Sequence, residues 1–302
     1  MDIKQFVQLL KTKLPQNIIF ENEQMKNYTT FKIGGNVDVM IKPTSYEEVS
    51  EAIKLCRAHK IPYYILGNGS NLLVADEGYR GVVIQIYNQL ANVQVEENMI
   101  KAQAGALLSK IAHKAMENSL TGLEFAHGIP GTLGGAVVMN AGAYDGEMKN
   151  VLVSCDVLDE EGNIVTLTNE ALELGYRTSI IQKKNYVVLG ATMVLKQGNQ
   201  EAIKDYMKEL MGRRKDKQPL DKPSAGSTFK RPEGHFAGKL IMDSGLRGYQ
   251  IGGAMVSEKH CGFVVNAGGA TCKDVEQLIE HVQKVVYEKF NVQLEAEVKF
   301  LK

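Results

Sequence analysis

GLEFAHGIPGTLGGAVVMNAGAY, residues 122–144, decides how the rest of the chain is read. Six of its positions are glycine (Gly122, Gly128, Gly131, Gly134, Gly135, Gly142), and only Glu124 is acidic. Glycine costs backbone entropy on folding, so this many imply sharp turns or close approach of the main chain to something else. Gly128-Ile129-Pro130-Gly131 is tight as well, because proline fixes its own φ and biases the residue before it towards extended geometry. The expectation is a loop with no side-chain packing of its own, offering bare N–H groups to a phosphate or a flat heteroaromatic ring. A purely structural corner is the other reading.

A second glycine loop lies upstream. Val37, Val39 and Ile41 alternate as in a strand, and Ser45 with Glu48 has capping-box spacing ahead of Val49, Ala52, Ile53 and Cys56. Pro62 ends that helix and Tyr63–Leu66 reads as a strand, completing a βαβ unit. Gly67-Asn68-Gly69-Ser70-Asn71 follows at the carboxyl end of the second strand, where open α/β units gather ligands. It lacks the Gly-Lys-Ser/Thr of a Walker A loop and only half matches GxGxxG. Its side-chain donors suit pyrophosphate oxygens, and a plain turn is the alternative.

Elsewhere the patterns predict an opening amphipathic helix ended by Pro15, a strand over 81–86, and a hairpin over 93–105 turning near Glu97-Asn98. A helix over 107–118, a hairpin over 151–167 around Glu161-Gly162-Asn163, and a strand over 186–195 follow. A boundary falls at Gln197-Gly198-Asn199, then a helix ending in Arg213-Arg214-Lys215, a long loop over 217–234, and a strand over 262–266. Thr271 and Asp274 cap a last helix, and a strand over 292–301 closes the chain.

Thirty-five Lys and Arg balance thirty-five Asp and Glu, which argues against a nucleic-acid partner held by bulk charge. No apolar run approaches the roughly 18 residues that span a bilayer. The opening MDIKQFVQLLKTKLP lacks a signal-peptide apolar block, so a cytoplasmic location is expected. Cys56, Cys155, Cys261 and Cys272 sit far apart without CxxC or histidine spacing, which predicts buried free thiols and no metal site.

In this order, TTFKIGG (29–35), GNGSNLLV (67–74), GIPGTLGGAVVMNAGAY (128–144), YRTS (176–179), SAGSTFKRP (224–232) and AEVKF (296–300) resemble the UDP-N-acetylenolpyruvoylglucosamine reductase family across nearly the whole chain. The absence of spare sequence between Leu195 and Glu201 resembles its second type, which lacks an extra tyrosine-bearing loop. Two positions depart from the pattern: Ala296 stands where proline is expected, and Arg231 where the first type has asparagine.

The resemblance implies an α+β fold: a vanillyl-alcohol-oxidase-type (PCMH-like) FAD-binding fold in two α/β parts, 1–86 and 87–198. A C-terminal α+β substrate-binding domain, 199–302, would follow, its last strand returning to the active site. It also implies non-covalent FAD, NADPH as reductant, and reduction of the enolpyruvyl group of UDP-N-acetylenolpyruvoylglucosamine to UDP-N-acetylmuramate. By family position Ser227 would be the proton donor, Arg177 the carboxylate fork and Glu297 the acid that stabilises the enol. Gly67, Asn68, Gly69, Ser70, Asn71, Gly128, Ile129, Pro130, Gly131 and Thr132 would hold FAD, with Thr30 a further candidate. Tyr176, Arg214, Lys230 and Arg231 are candidates for the substrate, its diphosphate needing cations. The Arg213–Lys217 cluster also reads as a solvated helix end. No second dinucleotide motif is present, so NADPH and substrate are expected to take turns at one site, in a chain expected to be a monomer. A flavin oxidase of the same fold and a nucleotide-binding module without activity are the competing readings.

Overall fold

Helix formation at the N-terminus follows its pattern. Asp2 caps Ile3–Lys13 through Gln5 N–H, and Phe6, Val7 and Leu10 are buried. In the computed structural model, which describes residues 1–302, the chain forms two compact units. One comprises 1–21, 39–68 and 81–214; the other comprises 22–38, 69–80 and 215–302.

The predicted strands Asn36–Ile41 and Tyr63–Leu66 flank a helix, Tyr46–Ala58, whose Ser45 hydroxyl accepts from Glu48 N–H. The two strands are not neighbours. Strand order is Ile19–Gln24, Asn36–Ile41, Tyr79–Gln85, Tyr63–Leu66, with the last pair parallel. A hydrophobic pattern marks a strand but carries no information on which strand slots in beside it.

The first unit also holds a five-stranded antiparallel sheet: Ile164–Thr168, Leu152–Leu158, Val187–Val194, Met99–Gln103, Val93–Glu96. Both predicted hairpins are in it. Its core is continuous from Phe6 and Val49 to Val137, Leu158 and Leu189.

In the second unit, helix Cys272–Phe290 buries Val275, Leu278, Ile279, Val282 and Val286 in a core shared with Leu240, Ile241, Ala254 and Val264. A three-stranded antiparallel sheet joins it: Gln250–Ile251, Ala254–Val256 and Val264–Asn266. The helix Ala237–Asp243 and the first two of these strands escaped the sequence pattern, because Gly238, Gly245, Gly248, Gly252 and Gly253 interrupt any periodicity.

The final strand is regular only over Lys299–Leu301, shorter than the pattern predicts. It changes partner part-way. Ala296 bridges to Phe229, whereas Lys299–Leu301 runs parallel to Leu72–Val74.

Candidate active site

The glycine stretch is not the unpacked loop its composition suggests. It contains a turn at Glu124–Ala126, a helix at Leu133–Val138 and a two-residue strand at Gly142–Ala143. Leu133, Ala136 and Val137 are buried. Gly134 explains how a helix forms there: a Cβ on it would stand 3.1 Å from Ala104 Cβ, so glycine lets helix and neighbouring chain approach closely. Several N–H groups expected to be bare are engaged internally. Ile129 N–H donates to Ala126 O (3.1 Å), Leu133 N–H to Ala106 O and Gly134 N–H to Ala104 O (both 2.8 Å).

Within the first unit the two glycine loops meet. The Asn68 amide donates to Pro130 O at 2.6 Å. A Cβ on Gly67 would lie 2.4 Å from Thr132 Oγ1, so only glycine lets these segments touch. Arg214 lies along the same stretch, since a Cβ on Gly128 would be 3.2 Å from its Cδ. Burial lowers the Arg214 pKa, opposed by Tyr144; a guanidinium stays charged regardless. Its neighbour Arg213 pairs with Glu209 on an exposed helix face. Arg213 therefore follows the solvated reading, whereas Arg214, a candidate for the substrate's diphosphate, lies beside Gly128 of the glycine loop, a place neither reading foresaw. His127 packs edge-on against His113, and burial together with that neighbour lowers its pKa.

The same helix end positions Arg177. Asn140, at φ 44°, donates through its amide to Gly175 O at 3.2 Å, and the buried Ser179 hydroxyl donates to Val138 O at 2.6 Å. Gln182 Nε2 donates to Arg177 O at 3.2 Å. Gly175 and Thr178 exchange backbone hydrogen bonds around Tyr176 and Arg177, which holds Arg177 at φ 56°. That conformation costs a non-glycine residue about 1–2 kcal/mol and persists only where its surroundings fix it. Tyr176 is exposed beside it, its ring 5.3 Å from the guanidinium. None of Asn140, Ser179 and Gln182 was singled out in sequence, although the first two lie inside quoted motifs, since nothing there marks a polar side chain as a bracket for a turn 35 residues away.

Ser227 and Glu297 lie in the second unit on adjacent, antiparallel segments. Glu297 N–H donates to Thr228 O (2.8 Å), Lys230 N–H donates to Glu295 O (2.9 Å), and Phe229 bridges Ala296. Thr228, which the sequence did not single out, is buried and ties the serine's segment down. Its N–H donates to Gly262 O (2.8 Å) and its hydroxyl accepts from Val264 N–H (2.9 Å). Thr30 N–H donates to Gly69 O (3.1 Å) and its hydroxyl to Ser224 O (2.6 Å). Gly69 has φ +62°, and a Cβ there would meet Tyr28 O at 2.1 Å. Ser70 and Asn71 complete that loop in this unit. Lys230 is paired with Glu295, and the Arg231 guanidinium lies 4.7 Å from the Phe236 ring centroid.

With this geometry in place, the comparisons with known proteins bear on what it serves. Residues 218–301 match the model of the UDP-N-acetylenolpyruvoylglucosamine reductase C-terminal domain, and residues 37–168 that of an FAD binding domain. A UDP-N-acetylenolpyruvoylglucosamine reductase from Clostridium perfringens is 54% identical over 98% of this chain and 97% of the relative. The chain belongs to the UDP-N-acetylenolpyruvoylglucosamine reductase family. Another member, from Caldanaerobacter subterraneus subsp. tengcongensis, is 56% identical over 98% of this chain and 97% of its own. The crystal structure of the reductase from Thermus caldophilus superposes with a TM-score of 0.81 at 36% identity, covering 93% of this chain and 98% of that one. Phl p 4.0202, a glucose dehydrogenase, superposes on 65% of this chain and 44% of its own at 13% identity and a TM-score of 0.51, a likeness of fold alone. The α+β, vanillyl-alcohol-oxidase-type fold expected from the reductase family is the fold observed.

The donor set fits the flavin dinucleotide such a domain takes. Two backbone loops joined by the Asn68–Pro130 bond, with the Arg214 cation beside Gly128, suit a diphosphate. No helix is long and apolar enough to cross a membrane.

Proposed function

We propose that this chain reduces the enolpyruvyl double bond of UDP-N-acetylenolpyruvoylglucosamine to give UDP-N-acetylmuramate, a step of peptidoglycan precursor synthesis, with NADPH as reductant and non-covalently held FAD. Family membership over 98% of the chain supports the reaction. The observation that carries the site is the ladder setting Ser227 beside the Glu297 segment, through Glu297 N–H to Thr228 O at 2.8 Å. FAD, which the Gly67-Asn68 and Gly128–Thr132 segments would hold, would supply the hydride transfer between NADPH and the terminal methylene carbon of the substrate.

The chain's own residues supply the rest. Negative charge builds on the carbon beside the substrate carboxylate, and the Ser227 hydroxyl donates a proton there. Arg177, preset by its turn, forks the carboxylate and spreads enolate charge. Glu297 stabilises the enol form. Gly67 and Asn68, with Gly128 to Thr132, line the flavin's diphosphate and ring, and Arg214 adds the cation. Tyr176, Lys230 and Arg231 contact the substrate. The enzyme works in the cytoplasm as a monomer, with NADPH and substrate bound in turn.

The test is a stopped-flow comparison of the two half-reactions by flavin absorbance. Ser227→Ala should leave flavin reduction by NADPH unchanged and slow reoxidation by the enolpyruvyl substrate by about 10²–10⁴-fold. Equal loss in both halves refutes the role of Ser227. Reoxidation by oxygen alone, with no response to the substrate, refutes the reductase reading in favour of an oxidase.

A further inference from the structure

Asn71 closes the glycine loop, and its type and place suggest a donor to a phosphate. Its hydrogen bonds point elsewhere. The Asn71 Nδ2 donates to the Glu297 carbonyl at 3.2 Å, and the Asn71 carbonyl accepts from Lys299 N–H at 3.0 Å. Beyond it the chain runs straight into the parallel pairing of Leu72–Val74 with Lys299–Leu301, closed by Ala75 N–H donating to Leu301 O at 2.9 Å. On the opposite side, Glu297 N–H is held by Thr228 O.

Glu297 therefore sits where the closing segment changes partner, from the serine's segment to Leu72–Val74. A switch of partner leaves backbone groups without a ladder, and such groups need another acceptor or donor. The Asn71 amide fills that gap at the Glu297 carbonyl. It fixes one peptide unit of Glu297 while Thr228 fixes the other, so the direction in which the Glu297 side chain leaves the backbone is set from both sides.

We infer that Asn71 is a positioning residue for Glu297: the glycine loop aims the carboxyl that stabilises the enol. This rests on the reading of Glu297 as a catalytic acid. A misplacement of about 1 Å at a reacting group costs on the order of 10²-fold, so even a small swing of the segment is measurable.

The test uses FAD-saturated enzyme and stopped-flow measurement of each half-reaction, for Asn71→Ala, Asn71→Asp, Glu297→Gln and the Asn71→Ala/Glu297→Gln double variant. Aspartate keeps the size of asparagine but, ionised, has no hydrogen to donate. Both Asn71 variants should slow reoxidation by the enolpyruvyl substrate about ten- to hundredfold while reduction by NADPH changes less than about twofold. In the Glu297→Gln background the Asn71→Ala change should add little, since both remove the same contribution.

Multiplicative losses in the double variant overturn the inference, as does an Asn71→Ala enzyme with both halves unchanged. If Asn71→Ala does not fold, Asn71→Asp carries the test. Failure of the variants to retain FAD at saturation makes Asn71 part of the cradle and overturns it too. A Glu297→Gln enzyme with normal reoxidation sinks the reading of Glu297 itself. A slow Glu297→Gln enzyme with an unaffected Asn71→Ala sinks only the positioning role.

Discussion

At the residue scale, the site rests on glycines whose hydrogen atoms occupy space no methyl group can. Gly67 faces Thr132 Oγ1 at a distance that forbids a Cβ, and the next Thr132 atoms stand back at 3.5 Å. Gly67→Ala should therefore weaken FAD binding by about tenfold or more, because the added methyl group pushes Thr132 out of its place in the cradle. Flavin-fluorescence titration reads it; an unchanged affinity would show that this close approach is not needed. Gly67 and Gly128 were legible as candidates in the sequence because glycine advertises a special backbone, and Arg177 through its place in the YRTS motif of the family resemblance. Asn140, Ser179 and Thr228 were not. Each acts through side-chain hydrogen bonds to main-chain groups distant in sequence, and no local pattern records such bonds.

The elements show the same division. The capping box ahead of Cys272–Phe290 was readable from Thr271 and Asp274 alone, and both of its bonds form: Asp274 N–H to Thr271 Oγ1 (3.1 Å) and Thr271 N–H to Asp274 Oδ2 (3.0 Å). Thr271→Ala should cost about 1 kcal/mol in urea unfolding. Asp274 also accepts from Gly253 N–H at 3.1 Å, a bond the sequence did not reveal. The Thr271 N–H, first among these donors, holds the Asp274 carboxyl below its ordinary pKa. A carboxyl whose folded pKa is depressed adds stability above the ordinary carboxylate range and loses it as pH falls through the folded value. Asp274→Asn should therefore flatten the acid side of the stability profile and leave its neutral-pH shape alone; an unchanged acid limb would contradict this. The helix Leu133–Val138 is the counter-example. Its two glycines read as loop because glycine lowers helix propensity, yet burial of Leu133, Ala136 and Val137 outweighs a penalty of about 1 kcal/mol per glycine.

For the whole molecule, thiol accessibility offers a direct check on how the chain closes. All four cysteines are buried, and burial pushes the Cys56 and Cys272 thiols up to about 12, far from reactive thiolate. Native enzyme should show no rapid reaction with a disulfide reagent, and four thiols should appear in denaturant; a fast native thiol would mean a core looser than described. The sequence by itself determined the zero net charge, the amphipathic helices, the hairpins, the two glycine loops and the family motifs, because composition and period are properties of neighbouring residues. Only the tertiary structure decided that Tyr79–Gln85 inserts beside Tyr63–Leu66, and that 22–38 and 69–80 pack with 215–302. It alone set Asn68 on Pro130 and Asn71 on Glu297. Those outcomes depend on contacts between segments far apart along the chain, and a distant partner is chosen by the shape and hydrogen-bonding of the folded whole, which no local run of residues contains.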